Sequence, residues 1–447
     1  MSKLASAVAG VARARGLVFA SASIQPQAVG NGTLAVTLDE GRVDAVRSLG
    51  SSNVAADRIL SNLVTHAGVT RAQLERAMLL VGDIPGVTVL NARYARENGF
   101  GILLVTIAVD RASLFVQADN RGTPEIGPWR TTELGSIRGL LRAGDEFTVV
   151  GSQTPADPAQ FEFVSGQYST LIGHSGQSAS ASAFFGATHA GGDLTYLDLT
   201  GRTYGGSVGY SAVLKRSRPA SFWLDVDLRT IRNEQDLRGG RFRDDSVTTL
   251  SATLRTQAEV AGGVLRGGAI ATIGLPVLGS TRQGDPRASR EDGDGRFVTG
   301  TVQGNWRRSL TGPLSVELAG VAQVASRPLL ATSEMSLGGP AFGRAYDYSE
   351  RTGDQGIAGS AEIQFDLKRF TRTRASQLQA YAFADGGTVG NLRGGVGGGS
   401  LASTGAGLRI GLGRLNAAVE LAVPLNADRL DTGNRAARFS TRLFVLF

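Results

Sequence analysis

Cysteine is absent from this sequence of 447 residues, and histidine occurs only at His66, His174 and His189. Without cysteine the chain can form no disulfide, no thiolate metal site and no thiol nucleophile. Three scattered histidines are too few for a histidine-rich metal centre. We therefore predict no metal site and no cofactor.

Long apolar runs are also absent. The longest one, at about 100–109, is interrupted by Gly101 and Thr106. A membrane-spanning helix needs about 20 predominantly apolar residues, so these data exclude a helical membrane protein. No heptad pattern is present, and a hydrophobic content of 42% is too high for bulk disorder.

Clusters of basic residues are missing, although the net charge is +7. No block of lysine or arginine and no alternation of basic with aromatic residues stands out, so nucleic acid is not a predicted partner. An export signal is not recognisable either. The weakly apolar stretch 4–12 is short and is followed, not preceded, by most of the nearby charge at Arg13 and Arg15.

The region before residue 111 alternates helical and strand patterns. A strand over 41–47 is followed by two predicted helices, one over 55–66 capped by Asn53 and one that follows the cap Thr70 and ends near Gly82. Strands over 87–96 and 100–109 come next, joined by a hairpin turn at Asn98-Gly99. This order predicts one small α+β module over residues 42–111.

Residues 1–41 resemble the second half of a similar module. The pattern predicts a helix over 2–13 and strands over 17–24 and 33–38. Half of an α+β module cannot close its own core. We therefore expect the natural protein to begin upstream of this sequence.

After residue 111 the chain consists of segments of about ten residues that alternate apolar and polar side chains. In 357–368, for example, Ile357, Ile363 and Phe365 share one face, and Glu362 lies on the other. About sixteen such segments occupy 112–447, and an even number of short alternating strands is typical of a bacterial outer-membrane barrel. The alternative is a soluble sandwich, propeller or β-helix. No repeat of 40–50 residues supports a propeller, and a sandwich of this length would need several domains.

The last strand carries a possible assembly signal. Its predicted apolar face ends in an aromatic residue and comprises Phe439, Leu443, Val445 and Phe447. Such an ending resembles the signal that outer-membrane barrels present to the barrel assembly machinery. The simpler interpretation is a core strand that happens to stop at phenylalanine.

Three short motifs suggest chemistry that their surroundings do not support. Residues 205–209 fit Gly-x-Ser-x-Gly, but a strand continues where a nucleophile elbow needs a helix. The glycine run 394–399 lacks the lysine and the helix of a phosphate loop. Residues 292–295 hold only part of a calcium-loop pattern. We predict no enzymatic activity.

The order of modules resembles the two-partner secretion transporters (TpsB), which belong to the superfamily that includes BamA. Their periplasmic modules are POTRA domains, and a sixteen-stranded barrel follows. Two groups of residues carry the likeness. The first group resembles the end of the family's first POTRA domain and comprises Gly16-Leu17-Val18-Phe19, Ile24-Gln25-Pro26-Gln27 and Glu40-Gly41. The second group resembles the start of the family's barrel and comprises Asp119-Asn120-Arg121-Gly122, Gly127, Arg130 and Gly144-Asp145.

The most specific resemblance lies in two motifs that follow one another in the barrel. Gly343-Arg344-Ala345-Tyr346 resembles a loop motif that folds back into the lumen in this superfamily, with Ala345 where glycine is common. Phe383, Asp385 and Gly387 match its barrel-wall partner, Phe-x-Asp-x-Gly. The resemblance implies a lumen loop over about 327–354 whose Arg344 pairs with Asp385, and a guanidinium can hold a carboxylate through two hydrogen bonds. The alternative is a solvated loop and an unrelated aspartate.

The resemblance implies a division into 1–41 (part of a first POTRA domain), 42–111 (a second) and 112–447 (the barrel). It implies an outer-membrane protein of a Gram-negative bacterium, in contact with lipid, that receives an unfolded TpsA exoprotein in the periplasm and secretes it. The alternative function is assembly of other barrels, as in BamA or TamA. A diffusion porin is disfavoured because porins lack POTRA domains.

Overall fold

The computed structural model describes residues 2–27, 32–371 and 374–447. Met1 and residues 28–31 of the predicted segment 1–41 lie outside the described residues. The elements before the barrel are α1 (Ser2–Ala14), β1 (Ser21–Ser23), β2 (Thr37–Asp39), β3 (Ala45–Gly50), α2 (Val54–Leu60), α3 (Arg71–Gly82), β4 (Val87–Glu97) and β5 (Phe100–Val109).

Elements β3 to β5 form one α+β module. The sheet has the order β3-β5-β4, with β3 parallel and β4 antiparallel to the central strand β5. The predicted caps are present, because Asn53 accepts backbone hydrogen bonds at the start of α2 and Thr70 forms a capping box on α3. At the β4–β5 turn, Asn98 and Gly99 both adopt positive φ, as an Asn-Gly hairpin requires.

Several predicted boundaries were wrong. The helix predicted over 55–66 is α2, which ends at Leu60 and continues only as a 3₁₀ turn, Ser61–Leu63. It ends there because Val64 is extended and Thr65 donates its backbone N–H to the Val43 carbonyl oxygen. The strand predicted over 41–47 lies at β3 instead. The strands predicted over 17–24 and 33–38 shrink to the three-residue strands β1 and β2.

The remaining chain forms a closed barrel of sixteen antiparallel strands, which confirms the predicted architecture. Between the eleventh member, β16, and the twelfth, β19, lies a two-stranded hairpin of β17 (Met335–Leu337) and β18 (Arg351–Gly353) that is not part of the wall. The barrel strands are β6 (Ala112–Asp119), β7 (Arg130–Arg138), β8 (Asp145–Gln153), β9 (Phe161–Ile172), β10 (Gln177–His189), β11 (Leu199–Lys215), β12 (Ala220–Leu237), β13 (Gly240–Val260), β14 (Gly263–Leu275), β15 (Val298–Ser309), β16 (Leu314–Ala325), β19 (Gln355–Asp366), β20 (Gln377–Gly390), β21 (Gly399–Leu412), β22 (Leu415–Pro424) and β23 (Arg438–Leu446).

The two faces of the wall differ in polarity as the alternation predicts. On β19, Ile357 and Ile363 lie on the outside and are 61% and 58% exposed, whereas Glu362 and Gln364 point inward and are buried. A strand that is apolar outside and polar inside fits a barrel surrounded by lipid. Within the described ranges, no helix is long and apolar enough to cross a membrane.

The α+β module sits against one end of the barrel. Its helices contact the turns that follow β7, β9 and β11. The clearest contact is the ion pair of Asp83 with Arg216, in which two guanidinium nitrogens donate at 2.7 Å each. The opposite end of the barrel carries the long loop of residues 326–354, which leads from β16 to β19.

Candidate functional site in the barrel lumen

The loop of residues 326–354, here called the lumen loop, folds into the barrel. Glycines make its reversals possible: Gly338, Gly339 and Gly343 all have positive φ, a conformation that side chains disfavour. A Cβ at Gly338 would lie 2.0 Å from the Asp347 carbonyl oxygen, so the chain crosses itself closely here. The predicted motif residues follow directly at the tip.

Tyr346 anchors the tip of the lumen loop. Its side chain is fully buried, and its hydroxyl lies 3.1 Å from the Ala427 carbonyl oxygen and 3.3 Å from that of Ala402. The ring belongs to an apolar cluster that joins the loop to β20 and β21 and includes Met335, Leu337, Ala345, Phe383 and Leu401. Burial of this ring fixes the loop against one wall of the lumen.

Arg344 lies beside three carboxylates. Its Nη1 donates to Glu362 Oε2 at 2.9 Å and to Glu420 Oε2 at 3.2 Å, and its Nε lies 3.3 Å from Asp385 Oδ2. All four side chains are largely buried. The ring of Phe383 lies under the guanidinium, 4.1 Å from its carbon to the ring centroid, which adds a cation–π contact.

The pairing of Arg344 with Asp385 differs from the predicted double hydrogen bond. The 3.3 Å approach lacks hydrogen-bond geometry, so the contact is an ion pair only. Asp385 instead receives the loop backbone: its Oδ1 accepts from Gly343 N at 3.0 Å and from the Ser403 hydroxyl. The guanidinium is directed away because Glu362 and Glu420 take its terminal nitrogen.

Every residue of the Phe-x-Asp-x-Gly motif has a physical reason to be there. Phe383 stacks under Arg344, and Asp385 holds the loop backbone. Gly387 permits a close approach of strands, since a Cβ would lie 2.6 Å from the Ile357 carbonyl oxygen and 2.7 Å from Ala358 Cβ.

Sequence reasoning missed the rest of the cluster. Arg121 donates to Glu420 Oε1 at 2.5 Å, Arg409 donates to Glu362 at 2.7 Å, and Tyr381 donates to Glu420 at 2.9 Å. Three arginines thus balance three carboxylates. The alternating pattern placed Glu362 on the polar face, but only the strand register brings it close to Glu420.

The predicted assembly-signal residues lie on the outer surface. Phe439 and Leu443 are exposed on the lipid-facing side of β23, as is Phe447 beyond its end, and Val445 is partly covered. Among the described residues, no group of histidines and carboxylates is arranged to hold a metal ion.

Comparison with solved structures shows the same fold in known proteins. CdiB from Escherichia coli matches with a TM-score of 0.82 and 19% identity over 100% of this chain and 84% of that one. CdiB from Acinetobacter baumannii matches with a TM-score of 0.73 and 15% identity over 97% and 79%. BamA from Haemophilus ducreyi lacking POTRA domains 1–3 matches with 0.62 and 12% over 100% and 93%. These likenesses show the fold, a closed β-barrel preceded by an α+β module.

Within that class the family is also shown. The model of the haemolysin secretion/activation protein ShlB/FhaC/HecB matches residues 102–410, and the chain belongs to this family of two-partner secretion transporters. It is therefore an outer-membrane protein of a Gram-negative bacterium, with its α+β module in the periplasm.

Curated relatives resemble a smaller part. The heme/hemopexin transporter protein HuxB of Haemophilus influenzae strain Rd is 28% identical over 152 residues, 33% of this chain, and the same protein of strain 86-028NP is 28% identical over 153. The match spans 27% of the length of either relative.

Proposed function

We propose that this chain is the transporter of a two-partner secretion pair that binds an unfolded TpsA exoprotein in the periplasm and lets it cross the barrel. The observation that carries the proposal is the lumen loop, held against one wall by the buried Arg344 cluster. A loop fixed in this way against β20 and β21 would leave the wall of β7 to β11 to a passing chain.

The uncovered wall suits an extended polypeptide. On β7 to β11 the inward side chains in the middle of the strands include hydroxyls paired across strands: Thr132 with Ser152 at 3.0 Å, Ser136 with Thr148 at 2.9 Å, and Ser182 with Ser207 at 2.9 Å. Hydroxyls offer hydrogen bonds without a fixed charge or a large apolar surface, so these positions give a passing chain little to adhere to. Folding outside the cell would then oppose backsliding.

The periplasmic module offers a docking place for the exoprotein. Strand β4 is the edge of its sheet, and a cavity of about 860 Å³ lies between this edge and α3. Leu90 sits at a bulge of β4 and is 63% exposed in this groove. An exposed strand edge beside an apolar groove can bind an extended segment by strand addition.

The remaining assignments follow from the same proposal. Residues 1–41 and 42–111 act as a partial and a complete POTRA domain, and 112–447 form the barrel. Outer-membrane lipid contacts the apolar outside of the strands. The exposed side chains of β23, with Phe447, would be recognised by the barrel assembly machinery.

The proposal is tested by secretion of the exoprotein encoded beside this protein. Arg344→Ala removes the arginine beside Asp385 and one of the two arginines beside each of Glu362 and Glu420. It should lower secretion by about tenfold or more, because removing one partner of a buried pair is costly. Arg344→Lys keeps the charge and should restore part of it. The matched control is Arg327→Ala, in the same loop but with a half-exposed side chain. Equal secretion by Arg344→Ala at equal membrane levels would contradict the loop's role.

The second candidate function is assembly of other barrels. One observation favours it: β23 and β6 share only five paired residues, against eight in each neighbouring pair. If exoprotein secretion is unaffected in a deletion strain while other barrels fail to fold, this second function replaces the first.

A further inference from the structure

The first and last barrel strands, β6 and β23, close the barrel but do not end at the same level on its outer side. The ladder between β6 and β23 runs from Phe115–Leu446 to Asp119–Arg442 and stops there. Strand β23 continues beyond this point to Arg438. Its backbone groups at Phe439 and Thr441 would therefore face an edge without a partner strand, which is unfavourable in a membrane because no water can satisfy them.

Asn120 fills this gap with its side chain. Its Oδ1 accepts from Thr441 N at 2.7 Å, its Nδ2 donates to the Phe439 carbonyl oxygen at 3.1 Å, and its own backbone N–H donates to the Thr441 carbonyl oxygen at 3.3 Å. The carboxamide thus takes the place of a further peptide group of β6. No other natural side chain of this length offers one donor and one acceptor in this arrangement.

The next residue turns into the lumen. Arg121 is buried, its Nη2 donates to Glu420 at 2.5 Å, and its Nη1 lies 3.4 Å from the Arg344 carbonyl oxygen. Asp119 fixes this turn by accepting from Arg121 N at 3.0 Å. Glu420 also holds the Arg344 guanidinium, so Arg121 contacts both the lumen loop and its carboxylate cluster.

We propose that Asn120 and Arg121 are positioning residues that make closure of the outer end of the β6–β23 seam depend on the docked lumen loop. Asn120 pairs the seam, and the side chain of Arg121, one peptide away, is held from the wall by Glu420 and from the loop by the Arg344 carbonyl oxygen. Release of the loop would take the Arg344 carbonyl oxygen from Arg121 and the Arg344 guanidinium from Glu420. Arg121 would then shift with Glu420, draw Asn120 away from Thr441 and unpair the end of β23. This coupling deepens the proposed function, because it states which wall contact opens when the loop moves.

Hydrogen–deuterium exchange of the full chain in lipid nanodiscs tests the coupling without secretion. Asn120→Ala should speed exchange of the 438–446 segment by about tenfold, since two hydrogen bonds are lost. The decisive variant is Arg344→Ala. The Arg344 side chain does not touch either seam strand, yet its removal should speed exchange of 438–446 as well as of the lumen loop. Arg121→Ala should do the same.

A disulfide between β6 and β23 distinguishes an effect on the seam from an effect on the lumen loop. The chain has no cysteine, so Val116→Cys with Val445→Cys, which are direct register partners, introduces a single pair. Under oxidation it should restore protection of 438–446 in Asn120→Ala but leave the lumen loop of Arg344→Ala exchanging fast. Ser182→Ala, across the barrel, serves as the control that changes neither segment.

The coupling is overturned if Arg344→Ala changes only the lumen loop, or if Arg121→Ala leaves 438–446 protected. If a variant does not fold, Asn120→Asp retains the acceptor for Thr441 and loses only the donor to Phe439, so the test can still be made. Failure of secretion with normal seam exchange would count against the proposed function and not against the coupling.

Discussion

At the scale of single residues, the position of Arg344 depends on a glycine in β21, the strand next to that of its ion-pair partner Asp385. Gly405 lies opposite Phe383 on β21, and a Cβ there would lie 2.7–2.8 Å from the Phe383 ring and 2.2 Å from the Leu421 carbonyl oxygen. The ring therefore occupies the space of a missing side chain and is held flat beneath the guanidinium. Gly407 accommodates Tyr381 in the same way.

We expect Gly405→Ala to push Phe383 away from Arg344. Overpacking of this kind costs about 1–3 kcal/mol, and it should lower the temperature at which the barrel unfolds in a heat-modifiability gel. Gly135→Ala on β7 is the matched control, because a Cβ at that position meets no atom within 4 Å. Equal unfolding temperatures for the two variants would show that Phe383 is not held by Gly405.

Ala345 shows why one departure from the family motif is tolerated. The glycine that is common at this place would matter if the backbone needed positive φ, but Ala345 does not adopt it. Its methyl group is buried in the apolar cluster around Tyr346. The conformational demand falls on Gly343 instead, two residues earlier.

At the scale of elements, the edge strand β4 and helix α3 form the proposed docking groove. Leu90 projects from the bulge, where the register shifts between Val89 and Asn91. Such a side chain contributes little to the module core, so its replacement tests binding rather than folding.

Leu90→Glu should weaken binding of the exoprotein's secretion segment to the transporter by about tenfold, the effect of losing one buried leucine contact and of desolvating a carboxylate. Leu49→Glu is the matched control, because Leu49 is exposed on β3, the other edge of the same sheet. Titration by fluorescence anisotropy measures both. Equal loss in the two variants would mean that the β4 edge is not the docking site.

The helices, strands and turns show which structural features could be predicted from the sequence. The Asn98-Gly99 turn and the cap of α3 at Thr70 were predicted because local backbone chemistry decides them. The end of α2 was missed because a tertiary contact, Thr65 to Val43, competes with the helical pattern. Barrel strands were recognised from alternation alone, since each must present one face to lipid and the other to the lumen.

At the scale of the whole molecule, closure of the barrel brings distant segments together. Glu362, Asp385 and Glu420 lie on β19, β20 and β22, and Arg121 follows β6 across the seam. Two motifs predicted the Arg344–Asp385 pair, but the other members depend on register between strands, with partners separated by 39 residues for Tyr381 and Glu420 and by 299 for Arg121 and Glu420. Local patterns carry no information about such pairings.

The module and the barrel form a connected path. Asp83 at the end of α3 pairs with Arg216 in a periplasmic turn, and the backbone N–H of Arg218 donates to Glu75 at 2.6 Å. Both arginines also line the docking groove. An exoprotein segment bound along β4, as proposed, would thus lie beside the mouth of the barrel.

Passage of the exoprotein through the lumen is the central claim, and site-specific capture tests it most directly. Ser207→Cys places a thiol on the hydroxyl-lined inner wall of β11, and Val208→Cys places one on the adjacent, lipid-facing position of a chain without other cysteines. With an exoprotein stalled in transit that carries cysteines, a disulfide is predicted from Ser207→Cys and none from Val208→Cys. Secretion at full rate with no capture from Ser207→Cys or other inner-wall positions would contradict the account.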